Sequence, residues 1–259
     1  MFSLFPTRAI AFVIFGFPVH WYGLLYLAAF LLAWFLLPKL QKFRKLNYNA
    51  DEWSTILSAA VLGVIVGGRL GFVFFYEPQY FLIHPLEIIQ VWHGGMSSHG
   101  GFIGVTLALL FVMRKRLSEL PRFMDVIVVP IAIGLALGRL GNFINQELYG
   151  TVTTLPWGIA VPGVEGLRHP TQFYEMATDL LTALLCYWHL RTSPKHPGET
   201  CALFLILYSI FRFSIEFLRV QDYSGIQLGT LMLTRGQILT IPLFLAGLFL
   251  LIWARKKSA

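Results

Sequence analysis

Charge is what this chain has least of. Asp, Glu, Lys and Arg make up only 13% of its 259 residues, too few to clothe a water-soluble domain of that length. An apolar share of 56% and a mean hydropathy of +0.67 place it instead among integral membrane proteins. Cysteine is nearly absent: Cys186 and Cys201 are the two, at no metal-ligand spacing. A disulfide framework is excluded on that count, and small apolar packing is the expected role of both. No Gly-x-Ser-x-Gly elbow, Walker loop or Cys-x-x-Cys occurs. An enzyme made from this chain would draw its nucleophile from a substrate. Residues 1–18 lack the basic start and small-residue cleavage site of a signal peptide, and internal repeats and low-complexity segments are absent too.

Lysine is missing from most of the chain as well. Of 20 basic residues, 13 fall in four short groups: Lys39, Lys42, Arg44 and Lys45; Arg114, Lys115, Arg116 and Arg122; Arg191 and Lys195; and Arg255, Lys256 and Lys257. Each group follows an apolar run, as cytoplasmic loops do under the positive-inside rule. Nucleic acid is not needed to explain the formal charge of +7. The remaining seven are all arginine: Arg8, Arg69, Arg139, Arg168, Arg212, Arg219 and Arg235. Arginine keeps its charge and offers a planar fork suited to phosphate or carboxylate.

Runs of about twenty apolar residues predict an all-α, polytopic membrane protein with about seven transmembrane helices, treated as one transmembrane domain over 1–259. The spans are expected near 21–37, 54–75, 96–113, 123–143, 173–188, 202–217 and 237–253. Seven crossings put the N-terminus outside and all four basic groups inside. Residues 1–18 and 76–95, rich in aromatics and proline, read as interfacial arm segments on the outer side. Residues 148–170 and 219–235 read as external loops.

The polar anomalies gather near the outer ends of these spans: Arg69, His99, Arg139, Glu147, Glu175, Arg212 and Glu216. Ionisable groups at membrane depth cost at least ~2.5 kcal/mol each, so they are rarely idle. Helical spacing would align Arg139, Asn142, Gln146, Glu147 and Gly150 on one face. Gly134 and Gly138 form a small-xxx-small pair, and Gly63, Gly67 and Gly71 form a second packing stripe. His99, in Trp92-His93-Gly94-Gly95-Met96-Ser97-Ser98-His99-Gly100-Gly101, is the side chain suited to proton transfer, against the plainer reading of a histidine bonded between helices. No second histidine or carboxylate stands at ligand spacing to it, which disfavours a metal site. Arg212, Glu216 and Arg219 at i, i+4 and i+7 are either an anion site or a structural ladder. Arg69 would either bind or snorkel to the surface. His20-Trp21-Tyr22-Gly23 with Tyr26 reads first as interfacial anchoring, with a site role for Tyr26 as the alternative.

Gly138-Arg139-Leu140-Gly141-Asn142-Phe143-Ile144-Asn145-Gln146-Glu147-Leu148-Tyr149-Gly150 resembles the signature of the bacterial prolipoprotein diacylglyceryl transferases. Trp21-Tyr22-Gly23, Gly67-Gly68-Arg69, Gly94-Gly95-Met96, His99-Gly100-Gly101, His169-Pro170-Thr171-Gln172, Phe211-Arg212 and Gly236-Gln237 extend the resemblance along nearly the whole chain. It implies transfer of an sn-1,2-diacylglyceryl group from phosphatidylglycerol to the lipobox cysteine in the signal peptide of a prolipoprotein. This is the first step of lipoprotein maturation, giving a thioether and glycerol 1-phosphate in the bacterial inner membrane, with the active site toward the periplasm. No cofactor is implied. Under this resemblance His99 accepts or relays the thiol proton, Arg139 binds the lipid phosphate and Arg212 activates the departing ester. Asn142 and Glu147 orient Arg139 and the headgroup, Glu216 and Arg219 support Arg212, and Gly150, Tyr26 and Arg69 complete the substrate site. The competing classes are a transporter or flippase for an anionic lipid or solute, and a non-catalytic membrane scaffold. Paired half-repeats with broken helices, which transporters often show, are not evident.

Overall fold

The computed structural model describes residues 9–193, 196–220, 226–228 and 231–258. Arg8, Lys195 and parts of the expected 1–18 and 219–235 segments lie outside the described residues. Seven long helices stand where the apolar runs predicted them: α1 (Trp21–Leu40), α2 (Ala50–Phe75), α4 (Ser98–Val112), α5 (Leu120–Ile144), α6 (Thr171–Thr192), α7 (Glu199–Ile215) and α8 (Arg235–Ser258). Between α2 and α4 lies the short helix α3 (Pro78–Ile83), followed by single 3₁₀ turns. Three two-stranded antiparallel hairpins complete the fold: β1 (Ile10–Ile14) with β2 (Phe17–His20), β3 (Ile159–Ala160) with β4 (Leu167–Arg168), and β5 (Ile226–Leu228) with β6 (Leu231–Leu233).

Five helical segments among the described residues are long and apolar enough to cross a bilayer: 21–44, 50–75, 117–144, 199–218 and 235–256. The other two long helices fall short for physical reasons. Helix α4 has 15 residues, fewer than the ~20 a full crossing takes. Helix α6 is long enough but carries Glu175, Asp179, His189 and Arg191.

The chain forms two compact units, one of residues 47–120 and one of the remainder. In the 47–120 unit, α2 starts in a capping box: Asn49 accepts from the Glu52 amide and Glu52 from the Asn49 amide, both at 2.8 Å. Helices α2 and α4 then meet backbone to backbone along the expected glycine stripe. A Cβ on Gly63 would sit 2.7 Å from the Gly104 carbonyl oxygen, and one on Gly71 2.7 Å from the Gly100 Cα. Side chains are excluded there because the helix axes are too close to admit them. After α2 the chain follows a carbonyl-lined arm, 76–95, whose Leu82, Ile83, Leu86 and Trp92 are exposed. An exposed apolar arm suits the interfacial role expected of it.

In the other unit, β1 and β2 join through Phe15 and Gly16, both at positive φ, a tight turn that leaves Phe15 almost fully exposed. Its hidden interior includes a charge network. The guanidinium of Arg44 donates from Nε to Asp125 at 2.7 Å, and from its terminal nitrogens to the Leu190 carbonyl at 3.0 Å and Thr200 at 2.7 Å. Asp125, 0% exposed, also accepts from the amides of Gly198 and Cys201 at 2.9 Å, so it caps the start of α7. All three nitrogens of Arg44 donate and both carboxylate oxygens of Asp125 accept. Both cysteines are buried free thiols beside it, Cys186 pointing its sulfur at the Thr200 carbonyl, in line with the packing role expected of them.

Removing Arg44 alone leaves the Asp125 carboxylate buried without its cation. Arg44→Met is expected to cost about 3–5 kcal/mol, read as a lower unfolding midpoint of the purified protein in detergent. Lys39→Met, at an exposed position, should change stability by less than about 0.5 kcal/mol.

Candidate functional site

Three arginines converge on one carboxylate. Glu175, one turn into α6 and 3% exposed, receives Arg139 from α5, Arg212 from α7 and Arg219 from the segment after the 3₁₀ turn at 216–218. Arg139 Nε is 3.1 Å from Glu175 Oε2, while Arg212 and Arg219 approach Oε1 at 3.4 and 3.3 Å. Two further acids share the load. Asp179, one turn deeper on α6, lies 3.9 Å from Arg139 Nε. Glu216 pairs closely with Arg212 and stands 3.9 Å from Arg219, and it accepts from the Thr234 hydroxyl at 2.9 Å. Three guanidiniums against three carboxylates give formal neutrality when all are ionised.

The pairing at Arg139 is electrostatic rather than directional. Among the described residues Arg139 makes no aligned hydrogen bond, and the facing oxygens Glu175 Oε2 and Asp179 Oδ2 accept none. Partly exposed donors left unspent beside buried acceptors form a site that an anion with several oxygens can enter.

The residues after Arg139 depart from the expected pattern. Helix α5 ends at Ile144, and Gln146 and Leu148 take left-handed backbone at φ 60° and 57°. Gln146, Glu147 and Gly150 therefore leave the helical face on which the spacing placed them. Glu147 turns back to Asn142 (3.3 Å) and Asn145 (3.1 Å), and Asn142 also donates to the Tyr22 hydroxyl at 3.1 Å. The carboxylates beside Arg139 are Glu175 and Asp179, whereas Glu147 orders the loop. That loop is fastened to α6 by Gln172, which donates to the Glu147 carbonyl at 2.6 Å, and by Thr171, which donates to the Leu148 carbonyl at 2.8 Å.

Gly150 sits where three strands of chain cross. Its amide donates to the His169 carbonyl at 2.8 Å and it bridges to Arg219, while the next amide, Thr151, donates to the Leu218 carbonyl at 2.8 Å. A Cβ there would lie 2.6 Å from both the His169 Cβ and the Leu218 oxygen. Glycine at 150 thus fixes the backbone that carries Arg219. Of the other expected pair, Gly134 meets Ala29 of α1, but nothing lies within 4 Å of a Cβ on Gly138. Gly138 instead lines a small cleft with Tyr22, Leu25 and Tyr26 of α1. Tyr26 is half exposed there, its ring 5.4 Å from that of Tyr22.

Arg69 and His99 belong to the 47–120 unit. Arg69 is 6% exposed and its donors are spent on the arm: Nε to the Ile88 carbonyl at 2.9 Å, and the terminal nitrogens to those of Glu87 (2.6 Å), Gly94 (2.5 Å) and Gly95 (3.2 Å). Phe81 covers one face of its guanidinium at 5.0 Å. It neither snorkels nor offers a free fork. His99 is exposed in the first turn of α4, whose start is capped by Ser97 accepting from the Gly100 amide at 3.2 Å.

Sequence reasoning gave Glu175 no role and passed over Asp179. Their signal was present as two acids one turn apart in an otherwise apolar helix. Among the described residues no three His, Cys, Asp or Glu side chains converge as a metal ion would require.

Comparison with known proteins gives one consistent result. A family model described as prolipoprotein diacylglyceryl transferase matches residues 9–253. A phosphatidylglycerol–prolipoprotein diacylglyceryl transferase of Legionella pneumophila (strain Paris) is 42% identical over 251 residues, spanning 95% of this chain and 96% of the relative. Proteins of the same description from Cupriavidus necator and Cereibacter sphaeroides are 42% and 41% identical, each covering 93% of this chain and 90% and 92% of the relative.

Gly150→Ala is expected to lower the thermal midpoint by several degrees, because the new methyl meets backbone that cannot withdraw. Gly23→Ala, on a helix with nothing within 4 Å, should leave the midpoint unchanged or raise it slightly.

Proposed function

Because the chain belongs to the prolipoprotein diacylglyceryl transferase family, we propose that it moves the sn-1,2-diacylglyceryl group of phosphatidylglycerol onto the lipobox cysteine of a prolipoprotein signal peptide. The glycerol carbon leaves its phosphate oxygen and bonds to sulfur. A thioether forms, glycerol 1-phosphate departs with the bonding electrons, and the thiol proton passes to a base. The attacking group is best as thiolate, and the substrate supplies it. This agrees with a chain that carries no nucleophile motif of its own.

One observation carries the reading of the site: three guanidiniums gather at one place, and Arg139 keeps its hydrogen-bond donors unspent. A phosphate leaving group gains charge in the transition state, and preorganised cations where that charge grows are the strongest aid a protein offers. We assign the lipid phosphate to Arg139 and the departing ester oxygen to Arg212, with Glu216 and Arg219 holding Arg212 in place. Asn142 and Glu147 shape the loop that receives the headgroup, Gly150 sets its backbone, and Tyr26 borders the acyl side. Arg69 serves the same substrate through the arm it holds. His99 takes the thiol proton, an imidazole exposed in the first turn of α4 and suited to proton transfer near neutral pH.

The topology that fits this chemistry has seven crossings in the bacterial inner membrane. The four basic groups then face the cytoplasm, and the arginine cluster and His99 lie toward the periplasm, where lipobox cysteines arrive. Helix α6 crosses with its acids paired to arginines, and α4 crosses as the shortest span. The names of the relatives favour this transferase over a flippase for an anionic lipid.

Transfer of labelled diacylglyceryl from phosphatidylglycerol to a lipobox peptide tests the proposal. Labelling should require the peptide's cysteine and fall by roughly 10²-fold or more in Arg139→Ala. Absence of labelling by the intact protein would overturn it and return the flippase. In the same assay His99→Ala should slow the step most at low pH, where the thiol is fully protonated. Undiminished activity in that variant would remove His99 as the base.

A further inference from the structure

Glu175 occupies a position that chemistry would reserve for a ligand. A carboxylate and a phosphate present the same kind of charge and the same spacing of oxygens to a guanidinium fork. Here one carboxylate meets three such forks from three segments of chain, and two of the arginines have acids of their own. Arg212 has Glu216, and Arg219 has Glu216 at longer range. Arg139 leans on Glu175 Oε2 and more distantly on Asp179, with no aligned hydrogen bond to either. Glu175 Oε1, by contrast, accepts a directional bond from Arg219. The carboxylate is tethered on one oxygen and loosely held on the other.

We propose that Glu175 is the resting counter-ion of the phosphate site: it neutralises the arginines while the site is empty, yields Arg139 to the arriving phosphate, and reclaims it when the phosphate product leaves. The proposal rests on the transferase reading above. Its physical content is competition between two anions for one cation. Three largely enclosed cations facing only Asp179 and Glu216 would keep one charge uncompensated at a large desolvation cost, so an empty site needs a third internal anion. That same anion repels whatever replaces it. The repulsion grows with the ligand's charge, and glycerol 1-phosphate, a monoester, carries more charge than the phosphodiester of phosphatidylglycerol. Glu175 therefore disfavours the product more than the substrate and speeds its release.

A merely structural carboxylate predicts the opposite, since losing it would scatter the arginines and weaken every anion. The deciding variant is Glu175→Gln, which keeps shape and hydrogen-bonding capacity and removes the charge. Titration of the purified protein with glycerol 1-phosphate, alongside inhibition of transfer, should show tighter product binding by roughly tenfold, within the usual range of coupling between two sites. KM for phosphatidylglycerol should fall by a smaller factor and kcat should drop as release becomes slow. Weaker or unchanged product binding in a variant with a wild-type melting curve overturns the proposal. Should the Gln variant fail to fold, Glu175→Asp withdraws the charge by one methylene and should give the same changes at smaller size; weaker or unchanged binding there overturns it equally. The two readings fail separately. A wild-type protein that transfers nothing removes the transferase, and the titration still decides whether Glu175 competes with a phosphate monoester.

Discussion

The structure depends on a rule of low-dielectric media: a cation drawn away from water must be met by anions or by hydrogen-bond acceptors. Arg139 lies 73 residues before Arg212, with Arg219 seven residues further on, and Glu175 is what brings the three to one point. No apolar contact could do this, since apolar packing is indifferent to which helix lies beside which. The ion pairs therefore choose the arrangement of α5, α6 and α7 at this end of the unit, and the apolar faces then fill in around it. Thr171 and Gln172 add to that choice by fastening the start of α6 to the loop after α5.

Three arginines largely withdrawn from solvent differ in how many of their donors are spent. Arg44 uses its guanidinium on Asp125, Thr200 and main-chain carbonyls, and is complete. Arg69 is complete as well, but on neutral carbonyls of the arm, so it orders backbone and leaves its charge uncancelled by any described carboxylate within ion-pair distance. Arg139 alone of the three has charge partners without directional bonds. Burial and charge do not distinguish a structural arginine from one awaiting a ligand. Hydrogen-bond saturation does.

Much of this was legible in the sequence, and the reasons are local. Apolar runs and 3.6-residue periodicity placed all seven long helices, and the glycines at 63, 67 and 71 announced the close approach of a neighbour. Arg212 with Glu216 was readable because partners one turn apart meet on any helix. The thirteen-residue stretch from Gly138 identified the family outright. Legibility failed where geometry is set at long range or by unusual backbone. The span expected over 123–143 ends within one residue of the observed helix end at Ile144, but the face drawn on to Gly150 needed the helix to continue, and the left-handed positions that turn the chain hold Gln146 and Leu148 rather than glycine. Glu175 lies 36 residues beyond Arg139 in the numbering, and no spacing rule joins them. Three short hairpins also escaped a purely helical expectation, being too brief to show alternation.

The Asp125 network sets an order of events during synthesis. Its cation, Arg44, is made 81 residues before the carboxylate, but the two amides that complete the cap, those of Gly198 and Cys201, are made 73 and 76 residues after it. At ~5–20 residues per second, Asp125 waits roughly 4–15 s for them. During that interval the carboxylate has only Arg44 to offset its charge. The order of synthesis thus makes the Arg44–Asp125 attraction available to draw the end of the first helix toward the nascent α5 before α7 is made, and the amides of α7 are the last partners that the carboxylate gains.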